Sequence, residues 1–251
     1  MSSVPTKVWP ATLPPMPEVD FSQFGEFELA EVSRHQQYAG AFLARNWAQI
    51  PHVTHNDEAS VDALNQFRRD YGREIGRKLT PLPFLVKALV NSLKAFPVFN
   101  SSLSADGKHL VMKQYFNIGI AVETDRGLLV PVIRDADKKS LSELTDELVD
   151  KATRARTKGL PIGEMSGGCM TISSLGSIGG TSFTPIINAP EVAILGITSE
   201  FERVVMVDGE VTTRRFIPLS LSYDHRVING ADAARFCHFY ASQLEHPEQL
   251  I

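Results

Sequence analysis

The chain has 251 residues, 43% hydrophobic and 22% charged, with a formal charge of -4. That is ordinary composition for a globular α/β protein able to bury a large core, and it argues against a broad basic footprint for nucleic acid. No run of about 18 apolar residues marks a membrane span, and the opening MSSVPTKVWP lacks the apolar stretch of a secretory signal. Cys169 and Cys237 lie far apart and outside any CxxC spacing. They read as buried packing residues in a reducing, cytoplasmic setting.

Residues 1–25 carry Pro5, Pro10, Pro14, Pro15 and Pro17 without a helical or strand period, the mark of an extended arm or linker. Its apolar members, among them Val8, Trp9, Leu13, Met16, Val19 and Phe21, are many for a free linker, so part of it is expected to lie against a neighbouring surface. Residues 26–251 read as one domain. A helix is expected from Ser33 through Trp47, stopping before Pro51, then a strand from His52 to Glu58. Helices follow over Val61–Ile75 and Pro83–Ala95, the second apolar on most faces. Asp106-Gly107 and Asp208-Gly209 sit between apolar runs as two-residue hairpin turns. Asn117–Glu123 and Leu128–Ile133 read as strands broken at Asp125-Arg126-Gly127. Ser140 and Glu143 form a capping box opening a helix whose stripe is Leu141, Leu144, Leu148, Ala152 and Ala155; Gly159 and Pro161 close it. Strands follow at Cys169–Ser173, Val192–Ile197, Arg203–Val207 and Phe216–Tyr223, then a helix over Ala231–Leu244. The expected fold is an α/β two-layer sandwich with a mixed sheet.

Among seven histidines, His35, His109, His238 and His246 belong to no constellation. His52 and His55, with Asp57 and Glu58 after them, suggest a metal site, but residues three apart on a strand point to opposite faces, so no metal is expected. His225 stands in Ser222-Tyr223-Asp224-His225-Arg226-Val227-Ile228-Asn229-Gly230, where a strand end delivers side chains into a cleft. The same segment also reads as a plain strand-to-helix turn with Asp224 and Arg226 as an ion pair. Asn229 suits a helix N-cap, with Asp232 in the first turn. The Ser/Gly-rich stretch Thr171–Gly180 matches neither a phosphate loop nor a nucleophile elbow and reads alone as a loop between strands.

Taken together, Asn46–Thr54, Gly127–Ile133, Thr171–Gly176, Phe183–Asn188 and Asp224–Gly230 resemble, in order, the catalytic domain of dihydrolipoyl acyltransferases, the core-forming subunits of 2-oxo acid dehydrogenase complexes. The last segment resembles a DHRxxDG signature shared with chloramphenicol acetyltransferase. One position departs: Asn229 stands at the signature's Asp, and an amide supplies no negative charge to hold an imidazolium. Some pyruvate-type members resemble this chain in carrying Asn there. Ser173-Ser174-Leu175-Gly176 also looks like the pyruvate-type subgroup, which favours acetyl as the acyl group; succinyl-type members tend to have Thr at the position of Ser173.

The resemblance implies direct acyl transfer between the thiols of dihydrolipoamide and coenzyme A. A free thiol titrates near ~8.5 and an imidazole near ~6.5, so at neutral pH the imidazole is the available base. His225 is then the general base, Ser173 the hydroxyl that steadies the oxyanion, and Asn229 a polar group that positions its neighbours. It further implies a trimer that builds a hollow cage, with His225 of one chain facing Ser173 of the next. Partners would be a lipoyl domain, and the decarboxylase and dihydrolipoyl dehydrogenase subunits. Family members carry lipoyl and subunit-binding domains before this core; none is visible, so the chain reads as a piece beginning in the last linker. Succinyl, branched-chain or acetoin-derived acyl groups, a stand-alone small-molecule acetyltransferase, and a scaffold with a decayed site remain alternatives.

Overall fold

The computed structural model describes residues 16–125 and 127–251, so Pro5, Pro10, Pro14, Pro15, Val8, Trp9, Leu13 and Arg126 lie outside the described residues. Contacts divide the chain into two units, one up to Ser33 and one from Arg34 to Ile251. In the first, a single 3-10 turn at Phe21–Gln23 is capped by Asp20, whose carboxylate accepts the Ser22 N–H. Met16, Val19, Phe21, Phe24, Phe27 and Leu29 are exposed there.

The second unit runs α1 (Arg34–Gln49), β1 (His52–Ser60), α2 (Asp62–Glu74), α3 (Leu82–Ala95), β2 (Ser101–Leu103), β3 (Leu110–Met112), β4 (Ile118–Ile120), β5 (Val122–Thr124), β6 (Gly127–Leu129), β7 (Val132–Ile133), α4 (Leu141–Thr157), β8 (Met170–Ser174), β9 (Ala193–Ile197), β10 (Phe201–Val207), β11 (Glu210–Asp224) and α5 (Gly230–Glu245). The main sheet has the order β1-β11-β9-β8-β4-β7, with β10 also paired to β11. β8 is parallel to both β4 and β9, and the remaining pairs are antiparallel, so the sheet is mixed as expected.

Register gives the sheet two unlike faces. Ile172, Leu195 and Leu221 are aligned across β8, β9 and β11, and all three belong to one core cluster with Phe84, Leu89, Leu144, Phe236 and Tyr240 of the helices. Cross-strand partners share a face and neighbours alternate. The adjacent rows therefore face the other way: Thr171, Ile194, Ser222 and Thr54, then Ser173, Gly196, Ser220 and Asn56. Most of these are small and polar, and two pairs bond across the strands, Thr54 with Ser222 and Ser220 with Asn56, each at 2.8 Å.

Local signals fared best. The Ser140 hydroxyl accepts the Glu143 N–H at 3.2 Å, and the Glu143 carboxylate accepts the Ser140 N–H at 2.8 Å. Asp208 and Gly209 (φ 52° and 85°) join the paired residues Val207 and Glu210 in a two-residue turn. Asp106-Gly107 does not make such a turn. The last paired residues are Leu103 and Leu110, and Asp106 widens the loop by accepting the Lys108 N–H and the Ser104 hydroxyl. Each of the two expected strands around Gly127 is also split. β4 and β7 join the main sheet while β5 and β6 form a separate ribbon. Pro131, which has no N–H for a ladder, separates β6 from β7, and its carbonyl takes the Ile120 N–H.

Removing the capping hydroxyl by Ser140→Ala should lower the unfolding free energy by about 1 kcal/mol, read as a shift in urea midpoint at constant slope.

Candidate active site

Ser173 is half-buried near the end of β8. Thr171 lies two residues before it on the same face, and both line a cleft of about 330 Å³ whose other walls come from Phe42 and Leu43 of α1, from Leu128 and Val130, and from Phe183 to Asn188. No Lys, Arg, His, Asp or Glu is among the described residues lining it. The cleft is apolar with three polar groups, Thr171, Ser173 and Asn188. Gly196 keeps the floor flat: a Cβ there would lie 2.7 Å from the Phe183 ring.

The wall at Ile187 is held by the Asn46–Thr54 segment. Asn46 Nδ2 donates to the Ile187 carbonyl at 2.9 Å. The Ile187 N–H donates to His52 Nε2 at 3.0 Å, and the other ring nitrogen of His52 lies 2.8 Å from the Ile50 carbonyl. With Nε2 accepting, Nδ1 is the donor and the ring is the neutral tautomer. Both nitrogens of His52 are thus engaged by backbone. Ile50, Ile187 and Ile194 form a small buried cluster beneath.

His225 follows β11 directly. Its N–H donates to the Pro51 carbonyl at 3.0 Å, and its ring lies 5.8 Å from that of Tyr223. The Asp224 carbonyl accepts the N–H groups of Val227 and Ile228, which closes the turn. The buried Asp224 carboxylate takes the Arg226 guanidinium at 2.6 Å as well as the Arg226 N–H at 3.0 Å. The expected ion pair is therefore present, and it builds the turn that presents an exposed imidazole. Asn229 occupies the N-cap of α5 in extended backbone conformation, yet its side chain makes no capping hydrogen bond. The Asn229 amide stays exposed on the same connection as His225.

The structure places His225 and Asn229 on one strand-to-helix connection but holds Ser173 apart from both within one chain. Ser173 aligns with Gly196 and Ser220, two strands across and five residues short of His225. At ~3.3 Å per residue and ~4.8 Å per strand, this is a separation of roughly 15–20 Å. The imidazole also lies beside Tyr223, whose side chain belongs to the helix-covered face.

Glu191, absent from the expected site, is buried between the cleft and the start of β9. Its carboxylate accepts the Thr171 hydroxyl at 2.7 Å and the Asn188 amide at 3.3 Å. Burial pushes its pKa up to about 7, against the smaller opposing effects of Thr171 and Lys113. A carboxylate abutting the apolar run Val192–Ile197 was the available signal, since a buried acid needs partners.

Two outcomes follow from this geometry. Asn229→Ala should change the unfolding free energy by only a few tenths of a kcal/mol, below the ~1 kcal/mol of a working N-cap; a larger loss in urea titration would show that the amide caps after all. Because Glu191 holds its proton to higher pH folded than unfolded, its stability contribution is full below the unfolded value near 4.5 and is lost as pH rises through about 7. The melting temperature of Glu191→Gln relative to the parent should therefore climb between pH 5 and pH 7 and level off above.

The sequence profile of the family described as 2-oxoacid dehydrogenases acyltransferase (catalytic domain) matches residues 25–251. Dihydrolipoyllysine-residue acetyltransferase components of pyruvate dehydrogenase complexes are 52% identical over 90% of this chain in Pseudomonas aeruginosa and 50% identical over 94% in Cupriavidus necator. The chain spans less than half of either relative, 42% and 43%. A structure of the Azotobacter vinelandii dihydrolipoamide acetyltransferase is 48% identical with a TM-score of 0.90, covering 95% of this chain and 99% of that one. The cubic core of a pyruvate dehydrogenase multienzyme complex matches to the same degree. Chloramphenicol acetyltransferase shares the fold at 12% identity, with a TM-score of 0.53 over 86% of this chain and 99% of its own. With its profile matched from residue 25 to the end and half its residues shared with such relatives, this chain belongs to the 2-oxoacid dehydrogenase acyltransferase family as a catalytic domain.

Proposed function

We propose that this chain is the catalytic core of a dihydrolipoyllysine-residue acetyltransferase, moving acetyl between dihydrolipoamide and coenzyme A within a pyruvate dehydrogenase complex. One observation carries the reading. The Azotobacter vinelandii enzyme was investigated for the catalytic role of a serine, a histidine and an asparagine, with the histidine 52 positions after the serine and the asparagine four further on. Ser173, His225 and Asn229 have the same spacing (225 − 173 = 52, 229 − 225 = 4).

His225 takes the proton of the attacking thiol, and the thiolate adds to the thioester carbonyl. The resulting oxyanion accepts a hydrogen bond from the Ser173 hydroxyl. Collapse of the tetrahedral adduct breaks the original C–S bond, and the departing thiolate recovers the proton from the imidazolium. Asn229, exposed and free of capping duty, orients groups beside the base by hydrogen bonding without adding charge. Ser173 is assigned as a hydrogen-bond donor and not as a nucleophile; among the described residues, no Lys, His, Asp or Glu of its own chain lines its cleft.

A site that needs both Ser173 and His225 needs a second copy of the chain, because one copy keeps them far apart. A trimer with sites at its interfaces meets that need, and the cubic core of the related complex supports a cage built from it. The cleft favours acetyl over succinyl: with no cation among its described lining residues, a second carboxylate would be desolvated without a partner. The lipoyl domain and the decarboxylase and dihydrolipoyl dehydrogenase subunits are the proposed partners, and the cytoplasm the proposed compartment, in keeping with two free, buried cysteines.

In acetyl transfer from acetyl-coenzyme A to dihydrolipoamide, followed by chromatographic separation of the S-acetyl product, His225→Ala should lose roughly 10²–10⁴-fold in turnover and Ser173→Ala roughly 10²–10³-fold, with little change in KM. Co-assembled Ser173→Ala and His225→Ala chains should regain activity, because some interfaces then carry both intact side chains. Mixed assemblies no more active than either parent would sink the shared site. Acetyl-coenzyme A should outpace succinyl- and isobutyryl-coenzyme A.

A further inference from the structure

Glu191 takes no part in the chemistry just described, yet it stands behind the strand that carries Ser173. It is 4% exposed, and its two carboxylate oxygens are divided between two residues of the cleft. Oε2 accepts the Thr171 hydroxyl, and Oε1 accepts the Asn188 amide. Thr171 and Ser173 leave β8 on the same side, so the bond to Thr171 reaches the surface that presents the Ser173 hydroxyl.

The backbone is cleared for this arrangement. A Cβ at Gly168 would lie 2.6 Å from Glu191 Oε1, and a Cβ at Gly119 would lie 2.5 Å from Thr171 Oγ1. The Lys113 ammonium acts on the carboxyl, and the carboxyl in turn acts on the Cys169 thiol. Lys113 donates to the carbonyls of Ser101 and Gly168, and Cys169 to that of Tyr115. The carboxyl's own hydrogen bonds therefore go to the cleft. Burying an acid is costly, and an apolar side chain of similar volume would hold two strands together at lower cost. What the carboxyl adds is a pair of oxygens held against Thr171 and Asn188.

We infer that Glu191 is a positioning residue for the transfer: by holding the Thr171 hydroxyl and the Asn188 amide it fixes the cleft wall around Ser173 and acts on the transition state more than on substrate affinity. The assignment rests on the acyl-transfer reading above.

The test is steady-state acetyl transfer from acetyl-coenzyme A to dihydrolipoamide by the assembled protein, with Ser173→Ala run alongside. Glu191→Ala should lower kcat roughly 10- to 100-fold while both KM values stay within about threefold. Glu191→Gln, which keeps an acceptor oxygen, should recover to within about threefold of the parent. Thr171→Val should reproduce the loss and Thr171→Ser should not. The double variant Glu191→Ala/Thr171→Val should lose no more than either single one, as expected for two halves of one contact. If Glu191→Ala fails to assemble by light scattering, the Thr171 pair decides alone. Unchanged kcat in Thr171→Val, a loss confined to KM, or losses that multiply in the double variant would overturn the assignment. If instead the parent transfers no acetyl, or Ser173→Ala matches it, the acyl-transfer reading itself falls and takes this one with it.

Discussion

The alternation of side chains along β8 is the constraint from which the rest of the molecule can be rebuilt. Met170 and Ile172 go into the helix-covered core, so Thr171 and Ser173 must leave on the other side. A slip of one residue would turn two hydroxyls into the apolar core and two large apolar side chains out of it, which makes the register expensive to change. Parallel pairing with β4 on one side and β9 on the other fixes that register twice. The position of the Ser173 hydroxyl is thus decided by burial of its neighbours, before any consideration of chemistry.

The same rigidity keeps His225 and Ser173 of one chain apart. β11 continues past the level of Ser173 and ends at Asp224, where β1 pairs with it and Pro51 receives the His225 N–H. The imidazole is therefore anchored to the far end of the strand, and no loop movement short of unpairing β1 and β11 would carry it to Ser173. The Asn46–Thr54 segment touches both places: its backbone holds the His225 turn, and Asn46 and His52 hold Ile187 in the cleft wall. If sites form between copies, this segment is a stiff strut between two neighbouring sites.

How much of this was legible in the sequence depended on the range of the interactions involved. The Ser140 capping box and the Asp208-Gly209 turn are settled within a few residues, and both formed as read. The division of Asn117–Glu123 between two sheets was not legible, because it depends on which distant ladder each N–H joins: Ile120 turns to Pro131 and Ala121 to Ile172. The polar first half of β11, Glu210–Arg215, pairs only with β10 and carries no burial pattern to betray it. Ser173 and His225 stand out in the sequence through motif resemblance rather than periodicity. Glu191 was passed over because its partners, Thr171 and Asn188, come from other segments, and nothing in Ala189-Pro190-Glu191 names them.

Asn229 brings the local and the functional readings into direct competition. Asn is favoured at an N-cap because its side chain can take an N–H of the first turn. Here the backbone adopts the cap conformation, but the amide makes no such bond, and the Asn229 carbonyl takes the N–H groups of Asp232 and Ala233 instead. Asp232 in that turn supplies the negative charge that favours a helix N-terminus. An amide left exposed four residues from an exposed imidazole is the arrangement expected where another surface completes the contacts. A carboxylate at this position would add charge beside the base; an amide offers a donor and an acceptor with none. In the proposed transfer, Asn229 then adds no counter-charge to the imidazolium, and the thiolate and the oxyanion of the reacting pair supply the negative charge only at the moment of reaction.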